Sequence, residues 1–250
     1  GLVDHMTIIS QAAADRFVKD RIVPRELLRV VPNGVDPELF RAVSPETRDR
    51  LRRELGVADA FVWLAIGRFE VAKDYPNMLR AFARVRARSP GALLLLVGKG
   101  SLREDTEAVV RELGLGDAVR FLGVRSDIAE LVSAADGYVM SSAWEGMPMV
   151  LLEAAAGGLP IVSTRVGGNH EVVRDGESGY LVPPRDSEAL GDAMLRLMAL
   201  DPAARRAMGD RGREHVRAHY GLHRVVERWE ELYREVQARK GPAVRVTQPA

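Results

Sequence analysis

Five short apolar runs, none alternating in polarity and each closed by glycine or serine, restrict the fold of this chain more than any other feature. Phe61 to Ile66 ends at Gly67, Ala92 to Val97 at Gly98, and Val119 to Leu122 at Gly123. Tyr138 to Met140 ends at Ser141, and Pro160 to Val162 at Ser163. A strand with one wet face alternates; a run that stays apolar is covered on both faces, the condition of a parallel sheet between helices. Amphipathic stretches lie between the runs, for example Leu79, Phe82 and Val85 at helical spacing. Strand then helix, five times over, predicts an α/β chain with a Rossmann-like doubly wound parallel sheet.

The flanks read differently. His5 to Ile9 has the pattern of a strand and Gln11 to Lys19 that of a helix, before the turn Pro32-Asn33-Gly34-Val35-Asp36. Residues 1–30 are therefore read as the last strand and helix of a preceding domain, 31–37 as a linking turn, and 38–220 as the main domain. Leu222, Val225, Val226, Trp229, Leu232, Tyr233 and Val236 form one apolar stripe, predicting a helix over 221–240. From Gly241-Pro242 onward, residues 241–250 carry no pattern and are expected to fray. The sequence opens Gly1-Leu2-Val3, which reads as a piece of something longer.

Charge excludes one class of partner. With 36 basic and 35 acidic residues the net charge is +1, without the basic excess that nucleic-acid binding requires. Cysteine is absent, so this sequence carries no disulfide, zinc–cysteine site or thiol nucleophile, which fits a reducing, cytoplasmic setting. No apolar run approaches the roughly 20 residues of a membrane span.

In an open α/β sheet, ligands bind beyond the carboxyl ends of the strands. Gly67-Arg68-Phe69-Glu70-Val71-Ala72-Lys73 places a guanidinium at one such end and an ammonium shortly after. Those two cations either hold a diphosphate or are solvated loop charges. Gly98-Lys99-Gly100-Ser101 is neither a P-loop nor a GxGxxG turn, and by itself marks only a tight bend. The richest stretch runs from Ser141 to Glu153. Its loop carries Glu145, Gly146 and Met147, and a helix is predicted from Pro148 or Met149. The free amides and positive dipole end of that helix favour a phosphate. Glu153 lies among Leu151, Leu152, Ala154 and Ala155, where an idle charge is costly. His215, His219 and His223 fall four apart, but Gly221 interrupts them and no carboxylate completes a set, so no metal site is assigned. His170 is read as structural or close to a base rather than catalytic.

Taken in order and spacing, these stretches resemble the retaining GT-B glycosyltransferases of family 4, also called glycosyltransferase group 1. Glu145 and Glu153 match the family's Glu-X7-Glu signature, Gly67-Arg68 and Lys73 its phosphate-binding pair, and Pro32 to Asp36 its inter-domain turn. Gly157-Gly158-Leu159-Pro160, Gly167-Gly168-Asn169-His170-Glu171, Gly176, Gly179 and Val182-Pro183 follow in the family's order. The resemblance implies a carboxy-terminal, donor-binding domain in which Arg68, Lys73 and Glu145 are the catalytic residues. Arg68 and Lys73 bind the donor diphosphate, Glu145 contacts the transferred sugar, and Glu153 accepts the ribose hydroxyls. The backbone of Gly146, Met147, Pro148 and Met149 lines the sugar-phosphate site, and Gly123, Val124 and Arg125 border the base. Gly67, Gly98 and Val150 complete the donor-binding set. Asp74 departs from the glycine usual after the lysine, which puts the local loop geometry in question.

The resemblance also makes residues 1–30 a remnant of the amino-terminal acceptor domain, with the helix over 221–240 packing back toward the missing part. The donor is expected to be a UDP- or GDP-sugar. No metal or other cofactor is expected, since Asp-X-Asp occurs nowhere in the sequence. The acceptor is left open among lipid-linked sugars, polysaccharide precursors and small molecules, with peripheral contact at the inner membrane face through the missing half. The chain alone is expected to bind donor without transferring sugar. Two other readings, a nucleotide-sugar epimerase and a nucleotide-binding module without transfer activity, are weighed against this one. The spacing of Glu145 and Glu153 beside Arg68 and Lys73 argues against the epimerase.

Overall fold

The computed structural model describes residues 3–240, so the tail expected to fray lies outside the described residues. In chain order the elements are β1 (Met6–Ile8), α1 (Gln11–Lys19), β2 (Leu28–Val30), α2 (Pro45–Glu54), β3 (Val62–Ile66), α3 (Tyr75–Arg88), β4 (Leu93–Val97) and α4 (Arg103–Glu112). There follow β5 (Val119–Gly123), α5 (Ile128–Ala134), β6 (Gly137–Met140), α6 (Met149–Ala156), β7 (Ile161–Thr164), α7 (Asn169–Val172) and β8 (Gly179–Val182). Three helices close the chain: α8 (Ser187–Met198), α9 (Pro202–Tyr220) and α10 (Leu222–Lys240).

The main sheet has six parallel strands in the order β5-β4-β3-β6-β7-β8. Its apolar runs are divided residue by residue between two cores. Val62 and Leu64 of β3 face one, with Tyr138, Met140, Leu151 and Leu152. Trp63 and Ala65 face the other, with Phe82, Val139 and Met194. In the central strands β3, β6 and β7 nearly every side chain is therefore buried, which is why those runs do not alternate, whereas β5 at the sheet edge is fully buried only at Val119 and carries Arg120. The doubly wound arrangement is the one the runs predict, with one strand more. That sixth strand, β8, begins with Gly179, ordinarily a strand-breaking signal. Here a Cβ on Gly179 would stand 2.0 Å from the Ile161 carbonyl oxygen, so close strand approach demands the glycine.

The amino-terminal segment is also richer than one strand and one helix. β1 and β2 pair in parallel, Met6 opposite Leu28, and enclose a small cluster of Ala14, Val23 and Leu28 with α1. Three devices attach this unit to the main domain. The Glu171 carboxylate accepts the first amides of α1, from Gln11 (3.1 Å) and Ala12 (2.9 Å), where the helix dipole favours a negative charge. Arg29 pairs with Glu235 of α10 at 2.6 Å, and His5 Nε2 stands 3.5 Å from the same carboxylate. Val225 and Leu232 of α10 are buried with Val31. The stripe predicted for α10 is thus only partly used, since Leu222, Val226 and Tyr233 remain exposed.

No helix among the described residues is long and apolar enough to cross a membrane.

Candidate functional site

The strand order reverses between β3 and β6, and the loops leaving those two strands are the two stretches singled out in the sequence. A reversal opens a crevice at the carboxyl ends, because the crossover helices on either side fall on opposite faces of the sheet.

The β3 loop is built against β4. Gly67 N–H donates to the Val97 carbonyl (2.9 Å) and Phe69 N–H to that of Lys99 (3.0 Å). Gly98 has φ +139, and a Cβ there would stand 2.0 Å from the Gly67 oxygen. Gly98 therefore serves the close approach of two strand ends, a structural reason for a glycine assigned to donor binding. Phe69 turns inward and is fully buried, whereas Arg68 points out, exposed and without a hydrogen-bond or ion-pair partner among the described residues.

Lys73 is not a free cation. Its Nζ lies 2.5 Å from Glu145 Oε1, which also accepts a 2.7 Å bond from Ser142 Oγ, and both charged side chains are largely buried. The sequence reading gives Lys73 to a diphosphate and Glu145 to a sugar as separate tasks; in the folded chain without ligand they neutralise one another. The two loops are also tied through backbone. Ser141 Oγ donates to the carbonyls of Lys73 (2.7 Å) and Asp74 (2.9 Å), and Ala143 N–H to that of Ala72 (2.8 Å). Asp74 adopts φ 46 and ψ 53, the left-handed conformation that glycine takes without cost and aspartate tolerates. Its carboxylate also caps α3 at the Asn77 amide, so the departure from the family's glycine preserves the turn.

The β6 loop is clamped from the other side. Gly168 N–H donates to the Gly146 carbonyl at 2.7 Å. Gly167, at φ +48, leaves no room for a Cβ beside the Glu145 carbonyl. Met147 is buried, and Pro148 caps α6 without a side-chain hydrogen bond, which leaves the first amides of α6 free to point outward. Met149 is partly exposed at that end, beside the half-buried Val150. One turn into α6, Glu153 is half buried and accepts no hydrogen bond or ion pair from the described residues. Burial raises its carboxyl above the ordinary value. Tyr138 is fully buried, its hydroxyl donating to the Ile66 carbonyl. Burial pushes that phenol well above its usual range, with smaller pushes from Tyr75, Glu153 and Glu145, so both carboxylates lie near it.

At the end of β5, Gly123 has φ +67 and Val124 is 68% exposed. Arg125 is spent locally on Asp127, with Nε 2.7 Å from Oδ1, and offers no free guanidinium. His215 bonds the Glu171 carbonyl through Nε2 (2.8 Å) and lies tilted against His219, ring centroids 4.9 Å apart, while His170 is exposed. A cavity of about 560 Å³ opens at the opposite, amino ends of β6 and β7, beside Asp136 and Pro160. Its Arg48, Arg205 and Arg213 are engaged with backbone carbonyls and carboxylates, and it lies at the end of the sheet away from the two loops singled out in the sequence.

Residues 47–215 match the family model of glycosyl transferases group 1, more than half of the chain. The chain belongs to the group 1 glycosyltransferases. N-acetyl-α-D-glucosaminyl L-malate synthase of Bacillus anthracis is 30% identical over 93% of this chain and 60% of its own length. A D-inositol 3-phosphate glycosyltransferase of Saccharomonospora viridis is 35% identical over 97% of this chain and 58% of its own. Among solved structures, Anabaena HepE in complex with UDP and glucose superposes with a TM-score of 0.83 at 27% identity, covering 93% of this chain and 62% of that one. The chain thus spans about three fifths of the length of the relatives it matches.

Within this group 1 domain, one contact was not foreseen from sequence. Asn33 of the linking turn donates from Nδ2 to the Met147 carbonyl at 2.8 Å, fixing the peptide just before α6. The sequence showed Asn33 only as a turn residue; nothing local connects it to a loop 114 positions away. Asn33→Ala is expected to cost about 1 kcal/mol in stability, the net worth of one hydrogen bond. It should also weaken nucleoside-diphosphate binding several-fold, because the amides at the start of α6 lose their fixed aim. Calorimetric titration beside thermal unfolding checks both; unchanged affinity would confine Asn33 to a structural role.

Proposed function

We propose that this chain supplies the donor site of a retaining glycosyltransferase, holding a nucleotide-diphosphate sugar by its diphosphate without a metal ion. One observation supports the reading: the sheet reversal opens between the two loops that carry Lys73 and Glu145, which touch across it, and to the same crevice edge we assign Arg68, the free amides of α6 and Glu153. Breaking the bond between sugar and nucleotide builds negative charge on the leaving diphosphate, and preorganised donors must stabilise it. Arg68, free and exposed, and the amino end of α6 take that charge first. Lys73 joins them when the arriving diphosphate competes with Glu145 for its ammonium, which releases the carboxylate to accept a sugar hydroxyl. Glu153, idle in the ligand-free chain, accepts the ribose hydroxyls. The arrangement needs no pair of closely spaced carboxylates, so it differs from the acid/base set of a glycosidase.

The HepE complexes, which contain UDP, glucose or UDP-glucose, support a nucleotide-sugar ligand on this fold. Retention of configuration rests on the Glu-X7-Glu spacing of Glu145 and Glu153. The acceptor site is assigned to the portion of the relatives that this chain does not span, with the unit of β1, α1 and β2 as its junction. A cytoplasmic setting, with the acceptor part reaching the membrane face, belongs to the same reading, and a relative from Mycolicibacterium smegmatis whose name gives it a phosphatidylinositol mannoside as substrate supports a lipid acceptor.

Calorimetry with UDP, GDP and ADP, each with and without EDTA, tests the reading. One diphosphate should bind selectively and EDTA should leave its affinity unchanged. Absence of binding by all three would reject the donor site, and loss of binding in EDTA would reject its independence of metal.

A further inference from the structure

Beside the donor crevice, on the α3 and α8 side of the sheet, lies a shallow pocket of about 310 Å³. Three segments form it: the turn into α3 with that helix's first residues, the β6 loop at Ala143 and Trp144, and the β8–α8 loop at Arg185. The pocket uses the same two loops as the donor crevice but different residues of them. Val71, Asp74 and Trp144 line it, whereas Lys73 and Glu145 do not.

Its chemistry is unusually unspent. Arg80 and Arg185 are both exposed, and neither has a hydrogen-bond or ion-pair partner among the described residues. Two guanidiniums lining one pocket repel each other until an anion sits between them. The single carboxylate there, Asp74, is engaged in capping α3. Asn77 is 5% exposed, and its Nδ2 has no hydrogen-bond partner, a donor whose burial is costly unless something accepts from it. Trp144 is 52% exposed and Val71 65%, an aromatic face and an apolar neighbour open to solvent at the same place. Arg185 is held at φ 61, a conformation unfavourable to a residue with a Cβ, at the position that supplies one of the cations.

We propose that this pocket is a second binding site, for a sugar or polyol phosphate, separate from the donor diphosphate. The phosphate lies between the planar forks of Arg80 and Arg185, which match its oxygens in pairs. The ring lies on Trp144 and Val71, its C–H face against the indole. Small-molecule pockets begin at about 300 Å³, so the space admits one ring and its phosphate rather than an extended chain. The site does not depend on the donor assignment, because none of its residues serves the diphosphate.

The indole gives the test an optical readout: of the three tryptophans Trp144 is open to solvent in the pocket, Trp63 is fully buried, and Trp229 packs on the cluster of Val31, Val225 and Leu232, outside the pocket lining. The chain is titrated with glucose 6-phosphate, inorganic phosphate, and phosphatidylcholine vesicles with and without phosphatidylinositol, following tryptophan emission and heat. Glucose 6-phosphate should bind saturably and more tightly than inorganic phosphate, and Trp144→Phe should remove the optical signal. R80A and R185A should each weaken binding about tenfold and leave UDP affinity unchanged, whereas R68A should do the reverse. Binding confined to phosphatidylinositol vesicles and lost in R80A and R185A would equally support the site, with its phosphate borne by a lipid. The proposal is overturned if no probe binds in a manner dependent on Arg80 and Arg185. It is overturned equally if inorganic phosphate binds as well as the sugar phosphate and Trp144→Ala changes nothing.

Discussion

Replacing Lys73 by methionine should lower the stability of the ligand-free chain by about 3 kcal/mol and weaken nucleoside-diphosphate binding roughly ten- to hundredfold. The stability loss follows from its partner. Glu145 is only 14% exposed on its side chain, and without Lys73 its charge keeps one hydrogen bond, from Ser142 Oγ. The double variant Lys73→Met with Glu145→Gln should recover most of that stability, because a neutral pair leaves no buried charge unmatched. It should not recover binding, because the diphosphate still lacks its ammonium. Glu145→Gln alone frees Lys73 and should bind a bare nucleoside diphosphate at least as tightly as the unaltered chain, while losing affinity for the nucleotide sugar. Denaturant unfolding and calorimetry on the four proteins read both quantities. If binding returned in the double variant, the role of Lys73 would be to support the loop rather than to hold phosphate.

Glu153→Gln should move stability and binding in opposite directions. Burial raises the Glu153 carboxyl in the folded chain above its unfolded value, so the folded state binds the proton more tightly. The sign follows by linkage: where the folded state holds more protons than the unfolded one, stability falls as pH rises. That loss begins near the ordinary carboxyl value and is complete above the raised one. Glutamine carries no such charge, so the variant should be the more stable protein at neutral pH, with the difference shrinking in acid. Binding runs the other way. A carboxylate accepting ribose hydroxyls contributes a charge-assisted bond of about 1.5–3 kcal/mol, so nucleoside-diphosphate affinity should fall by roughly ten- to hundredfold. A group kept at a cost to the empty protein and a gain to the filled one is the signature expected of a binding residue. A variant with lower stability and unchanged affinity would instead make Glu153 an ordinary helix residue.

The sequence determined what depends on neighbours along the chain. Apolar runs such as Val62 to Ile66 announce strands buried on both faces, because that burial leaves no position for a polar residue. Pro148 ahead of Met149 marks a helix start, and the gap between Glu145 and Glu153 puts one carboxylate in a loop and the other in a helix. β8 escaped because Gly179 reads locally as a break, and only its approach to Ile161 explains it. β2 escaped because Leu28-Arg29-Val30 runs almost directly into the Pro32-Asn33-Gly34 turn and reads locally as part of it, whereas β1, no longer, lies inside the legible run His5 to Ile9.

Tertiary structure decided which of these pieces meet. Lys73 and Glu145 are 72 positions apart, Asn33 and Met147 114, and Ala12 and Glu171 159. None of these pairs leaves a periodic trace, since periodicity records which face of an element is buried and not what covers it. The pairing of Lys73 with Glu145 follows from β3 lying next to β6 rather than next to β5. That order is set by the handedness and packing of whole crossover units, which no single segment encodes.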